Sequence, residues 1–116
     1  MLSTRTKADI EYAVMLAVLN FQKDFVQSNY SRVHVQLLET LVKVDLTRTV
    51  PIPAEERLAQ TQEGQAQLRQ MHQALFTAGQ DILKKQLEEI VDRMIEEMVA
   101  DLEPLSGKMT IVIKLK

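Results

Sequence analysis

The two histidines, His34 and His72, are the side chains of this sequence best suited to metal binding or proton transfer. Neither belongs to a His-x-x-x-His pair, and neither has a second ligand at the spacing that metal sites use. The chain contains no cysteine, which excludes thiolate ligands, cysteine nucleophiles and disulfides. We therefore predict no metal site and no cofactor, and we interpret both histidines as surface or boundary residues.

Acidic residues form the second group of side chains that could take part in catalysis. Glu88, Asp92 and Glu96 recur every four residues within a predicted helix, so they share one solvated edge. A general acid–base pair needs a pocket that separates the two pKa values, and this pattern predicts none. The three glycines form no phosphate-binding loop, and the serines form no nucleophile elbow. These observations predict a chain that is not an enzyme.

A polar turn with Thr61 at the N-cap position precedes the longest predicted helix. The amide groups at a helix N-terminus bind anions, although Glu63 in the same turn opposes an anion. Basic side chains nearby would add charged hydrogen bonds. A domain that senses a small anionic metabolite or nucleotide is therefore the alternative hypothesis for function. Its candidate contacts are Arg48, Arg57, Thr61, Arg69 and His72.

Charge and composition restrict the classes of molecule that the chain could bind. The chain has 116 residues, a net charge of −2 and only 4% aromatic residues. Nucleic-acid surfaces usually show a basic excess and stacking aromatics, so we predict no nucleic-acid partner. The apolar run from Ala13 to Leu19 is too short to cross a membrane and lacks a signal-peptide cleavage pattern. We expect a single cytoplasmic domain over residues 1–116, without membrane insertion.

The spacing of apolar residues predicts the elements that position these side chains. Residues 7–27 show a helical stripe, and a polar stop follows at residues 28–31. From Arg32 the period changes to two, which predicts a hairpin with its turn at Glu39 and Thr40. This turn lacks the Gly or Asn that tight hairpins prefer. The predicted buried face of the hairpin consists of Val33, Val35, Leu37, Val42, Val44 and Leu46.

The second half of the chain predicts two helices and a second hairpin. Pro53 begins a short helix, and a long helix follows from Gln62 to Glu97. Residues 108–116 alternate as a strand with Ile111 and Ile113 on its buried face, and residues 99–103 are interpreted as its antiparallel partner. The predicted fold class is α+β, with an antiparallel sheet of about four strands in two hairpins. The sheet packs against the N-terminal helix and one long helix.

The long helix also predicts self-association. Its second half carries two apolar stripes, and one sheet face covers only one of them. A two-fold pairing of helices would bury the other stripe, with the N-terminal helix as a competing cover. We predict a homodimer with an interface that includes Leu83, Leu87, Val91, Ile95 and Met98.

The segment from Pro53 to Gly64 resembles the P-A-E-x-x-L-A-x-T-x-E-G signature of the MpsC-like family of small bacterial proteins. The order of helices and strands also resembles this family over nearly the whole chain. The family is named for a component linked to a sodium-translocating, membrane-potential-generating system. The resemblance implies a cytoplasmic accessory or regulatory protein that acts by protein–protein interaction, with a membrane ion or solute transport system as candidate partner. It supplies no catalytic residues, and the family's basic turn is represented here only by Arg69 and His72.

Overall fold

Helix α1 begins at a threonine that caps its first turn. In the computed structural model, which describes residues 5–26, 30–48 and 50–116, α1 spans Lys7–Phe21. The Thr6 hydroxyl accepts a hydrogen bond from the Asp9 amide, and the Asp9 carboxylate accepts one from the Thr6 amide. A π-helical segment, Gln22–Val26, continues the helix. The predicted helix end at Gln27 and the first half of the polar stop lie outside the described residues.

Strands β1 (Arg32–Leu37) and β2 (Leu41–Thr47) form the predicted antiparallel hairpin. Val35 lies opposite Val44, and both side chains are buried. The connection, residues 38–40, uses no positive φ angle, which explains why neither Gly nor Asn is required there. A hydrogen bond of 2.8 Å from the amide at position 38 to the carbonyl at position 41 closes it.

Two helices follow the hairpin. Helix α2 spans Pro53–Leu58, with the proline in its first turn, and helix α3 spans Gln62–Val91. Asp92 ends α3 with a left-handed backbone at φ 56°, a conformation that Asp tolerates better than most residues. The prediction that the long helix continues to Glu97 is therefore wrong.

Residues 95–97, which were predicted to end the long helix, belong to the second hairpin. Strand β3 spans Ile95–Glu103, so it begins at residue 95 rather than at the predicted residue 99, and it pairs with β4 (Lys108–Leu115). A bulge at Glu96 shifts the register, so the inward-facing Ile95 and Met98 lie three residues apart. This spacing imitates a helical repeat, which explains both errors.

The four antiparallel strands lie in the order β1-β2-β4-β3, and α1 and α3 pack on one face of the sheet. One buried row crosses the whole sheet, from Val35 through Val44 and Ile111 to Ala100. The alternate residues face outward, where the sheet is polar, as is common for antiparallel sheets with one solvated face. The predicted α+β architecture is confirmed.

Candidate functional site

The connection between α2 and α3 is a closely packed turn. A Cβ atom at Gly64 would lie 1.8 Å from the carbonyl oxygen of Leu58, so only glycine fits there. The Thr61 hydroxyl accepts a hydrogen bond of 2.9 Å from the Gly64 amide. The carbonyl of the buried Ala59 accepts one of 2.9 Å from the side chain of Gln65. These contacts set the direction in which α3 leaves α2.

Glu55 on α2 joins three parts of the chain. Its Oε1 lies 3.3 Å from Nε2 of His72 on α3 and 3.4 Å from a terminal nitrogen of Arg48, just after β2. The Arg48 guanidinium also lies 4.4 Å above the centre of the Tyr30 ring. The side chains of Arg48 and His72 are at most 5% exposed, so these polar groups interact in largely desolvated surroundings. The network holds α2 against α3 and the end of β2.

A pocket of about 480 Å³ opens between the first half of α3 and the end of β3. His72 forms part of its wall, and among the described residues Nδ1 of this histidine has no hydrogen-bond partner. Arg69 and Asp101 contribute opposite charges, and Leu102 and Met109 contribute apolar surface. Such a mixture of apolar wall and few polar groups is typical of ligand pockets.

The structure brings two of the five predicted anion contacts together and places the other three elsewhere. Arg48 contacts Glu55 and the Tyr30 ring. Arg69 and His72 line the same pocket. The Thr61 hydroxyl is bonded within the α2–α3 turn, and Arg57 is exposed on α2. Glu55, whose carboxylate lies 3.3 Å from Nε2 of His72, was not among the predicted contacts. Its place in the P-A-E segment is the signal that identifies it.

The predicted acidic edge is divided among three local roles. Glu88 is half-buried, and its carboxylate accepts a hydrogen bond of 2.7 Å from the amide of Ile95. Asp92 ends α3, and Glu96 occupies the bulge of β3. The prediction of one shared solvated face is therefore wrong, because the helix ends between these residues.

Three of the five residues predicted at a dimer interface are buried inside the single chain. Leu83, Leu87 and Ile95 are each at most 2% exposed. Val91 and Met98 are half-buried, and Met98 belongs to β3 rather than to α3. The two helical stripes on which this interface was predicted therefore do not exist as one helix surface. The homodimer itself stays a prediction.

The remaining histidine lies away from the pocket. His34 is exposed on β1 opposite Asp45, which accepts a hydrogen bond of 3.1 Å from the Thr110 hydroxyl. Within residues 5–26, 30–48 and 50–116, no cluster of three or more His, Cys, Asp or Glu side chains is arranged to hold a metal ion. Over the same residues, no helix combines the length and apolar character that crossing a membrane requires.

Comparison with known proteins identifies the family. The family model described as "Na+-translocating membrane potential-generating system (MpsC)" matches residues 6–116. The chain belongs to the MpsC family. No curated protein and no solved structure matches it. In this MpsC-family protein, the signature segment Pro53 to Gly64 forms α2 and the turn into α3, and it supplies Glu55 to the network behind the pocket.

Proposed function

We propose that this MpsC-family protein is a non-enzymatic cytoplasmic accessory or regulatory protein that binds a component of a membrane ion or solute transport system. The observation that carries the proposal is the family match over residues 6–116, because the family is described by a Na+-translocating system that generates a membrane potential. A binding role is supported by the signature segment, which forms a rigid turn and places Glu55 3.3 Å from His72, a residue that lines the pocket.

Cross-linking in living cells, combined with gene deletion, tests this proposal. In cells that produce the protein, cross-linking and mass spectrometry should recover a membrane transport component. Deletion of the gene should reduce the Na+-dependent part of the membrane potential, measured with a potential-sensitive dye. The wild-type gene should restore it, and a variant with the α2–α3 turn disrupted by Gly64→Ala should not. An unchanged Na+-dependent potential, with only non-membrane proteins recovered, would contradict the proposal.

Sensing of a small anionic ligand is the second candidate function. It is favoured by one observation, the unpartnered Nδ1 of the buried His72 in a pocket that also contains Arg69. A thermal-shift screen of nucleotides and organic acids should then find a ligand that raises the melting temperature by several degrees. Arg69→Gln should remove this shift, and Arg57→Gln, on α2 and outside the pocket lining, should keep it. If no ligand shifts the melting temperature, or if both substitutions reduce the shift equally, the sensing function is rejected.

A further inference from the structure

Strand β3 has a free edge. It lies at the end of the sheet, and within the described parts of the chain only β4 pairs with it. With nine residues it is also the longest strand. The unpaired N–H and C=O groups of an edge strand are a template for adding another strand. At the start of β3, the Ile95 amide already bonds a carboxylate outside the sheet, that of Glu88, at 2.7 Å.

Two pockets follow this edge. The pocket of about 480 Å³ borders residues 100–102, and a second pocket of about 310 Å³ borders residues 95–98. Successive side chains of a strand point to opposite faces, so consecutive residues share a pocket only when it lies beside the strand's edge. The two pockets lie one after the other along β3, and we call them together the β3 groove.

The facing wall of the β3 groove is a polar stripe of α3. Gln70, Gln73, Gln80 and Lys84 line it at intervals close to whole helical turns. Glu88 continues the stripe one turn later and bonds the edge amide of β3. Side-chain amides both donate and accept hydrogen bonds, so this wall can bond the outer side of a peptide backbone.

The charge of β3 determines which occupant fits. Glu97, Val99, Asp101 and Glu103 alternate on the open face of the sheet. Lys114 pairs with Glu97 at 3.3 Å, and among the described residues no ion pair involves Asp101 or Glu103. An added strand places its own side chains opposite these acids, where basic residues are favourable and acidic ones unfavourable. A second copy of β3 fits poorly, because the strand has acidic residues and no basic one.

We propose that the β3 groove binds an extended segment of a partner protein as a fifth strand, with Lys or Arg at alternate positions and apolar residues between them. The basic side chains face Asp101 and Glu103, and the apolar side chains enter the pocket beside Leu102 and Met109. This inference rests on the proposed function for the existence of a protein partner, and it adds the surface and chemistry of the contact.

Binding of a synthetic peptide tests the proposal directly. The probe is a fluorescent peptide, Lys-Leu-Lys-Val-Lys-Leu-Lys, added to the full chain and followed by fluorescence anisotropy. Hydrogen exchange should show slower exchange in β3, by about tenfold or more, and no change in β1. A peptide of the same composition with its lysines grouped, and one with a central proline, should bind at least about tenfold more weakly because they lose the alternation or a backbone donor.

Charge reversal on the strand provides the matched variants. Asp101→Lys/Glu103→Lys should weaken binding of the lysine peptide at least about tenfold and allow binding of its glutamate counterpart. The control Glu39→Lys/Glu89→Lys changes the net charge equally at exposed positions outside the two pockets, and should bind as the wild type does. Circular dichroism and urea unfolding of both variants check that they are folded.

Three results overturn the proposal. Equal binding of the alternating and grouped lysine peptides would show that the acids only attract positive charge. Protection outside β3 would place the peptide elsewhere. A mass near 27 kDa by light scattering, with β3 already protected in the free protein, would assign the edge to a second copy, since one chain is 13.3 kDa. The peptide tests and the cross-linking test can also disagree. If the lysine peptide does not bind β3 but a transport component still cross-links to the protein, the proposed function stands and the β3 groove is not its contact surface.

Discussion

The two edges of the sheet are completed differently. At the first edge, β1 has six residues, α1 packs beside it, and Glu11 of α1 accepts a hydrogen bond of 2.7 Å from the Leu37 amide at its end. At the second edge, β3 has nine residues, and Glu88 of α3 accepts a hydrogen bond of 2.7 Å from the Ile95 amide at its start. From Ile95 onward the β3 groove borders the strand.

The difference shows how chain connectivity shapes an edge. Residues 92–94 join α3 directly to β3, so the helix and strand are held together at that end. At the other end, the α2–α3 turn and Glu55 direct α3 independently of β3. The groove is accordingly larger there, about 480 Å³ compared with about 310 Å³ near the connection. At each edge, a carboxylate of a helix accepts a hydrogen bond from one edge amide. The space beside β3 depends, in addition, on where α3 is held.

The largest expected effect follows from moving the far end of α3. Gly64→Ala places a Cβ against the Leu58 carbonyl oxygen, so the backbone has to shift. We expect the free energy of unfolding in urea to fall by about 3 kcal/mol. Gln67→Ala, exposed on the same helix, should change it by less than about 0.5 kcal/mol. Equal stability of the two variants would show that the turn does not hold α3 rigidly.

Removing the helix carboxylates breaks the feature that the two edges share. Glu11→Ala and Glu88→Ala each leave a backbone amide without its charged acceptor, and each should cost about 1.5–3 kcal/mol of unfolding free energy. Hydrogen exchange should accelerate at Leu37 in the first variant and at Ile95 in the second. The exposed Glu89→Ala is the control. A loss confined to one variant would show that only that edge depends on its carboxylate.

The packing of α1 against α3 is tested at Gly79. An alanine Cβ there would lie 2.6 Å from the Phe25 ring and 2.7 Å from the Phe21 ring. Phe25 is 40% exposed and can move, and alanine gains up to about 1 kcal/mol in helix propensity. We therefore expect Gly79→Ala to cost a net of about 1 kcal/mol, measured by urea unfolding. The exposed Thr77→Ala should not destabilise the chain; an equally stable Gly79→Ala would mean that both rings adjust without cost.

The smallest expected effect concerns the ion pair on the open face of β3. Lys114 and Glu97 are 55% and 53% exposed, so Lys114→Ala should cost less than about 0.5 kcal/mol of unfolding free energy. It should nevertheless strengthen binding of the lysine peptide to β3, because Glu97 becomes available. Lys43→Ala, on β2 and away from the edge, should leave the peptide affinity nearer to wild type. Weaker binding to Lys114→Ala would contradict the role assigned to the β3 acids.

Regular alternation made much of the sheet predictable. Met109, Ile111, Ile113 and Leu115 alternate without interruption and are all buried, and Ile111 and Ile113 were predicted to be. Strand β3 was recognised only in its second half, because the bulge at Glu96 replaces a two-residue interval by three. One extra residue was thus enough to assign the start of a strand to the preceding helix.

The candidate site was predictable only in part. The sequence named Arg69 and His72 among the candidate anion contacts, and both line the pocket. It did not indicate that Glu55 bonds His72, because the two residues are 17 positions apart and meet only after the turn at Gly64 folds α2 against α3. A contact of this kind depends on the angle between two helices, which local periodicity does not contain.

By itself, the sequence determined the α+β class, both hairpins, the capped start of α3 and the MpsC signature, since each depends on residues close together in the chain. Only the tertiary structure decided that Leu83, Leu87 and Ile95 pack inside one chain, and that a groove lies along β3. Which apolar side chains are covered, and which strand edge stays open, depends on how the helices lie across the sheet. That arrangement results from the packing of the whole core rather than from any one segment.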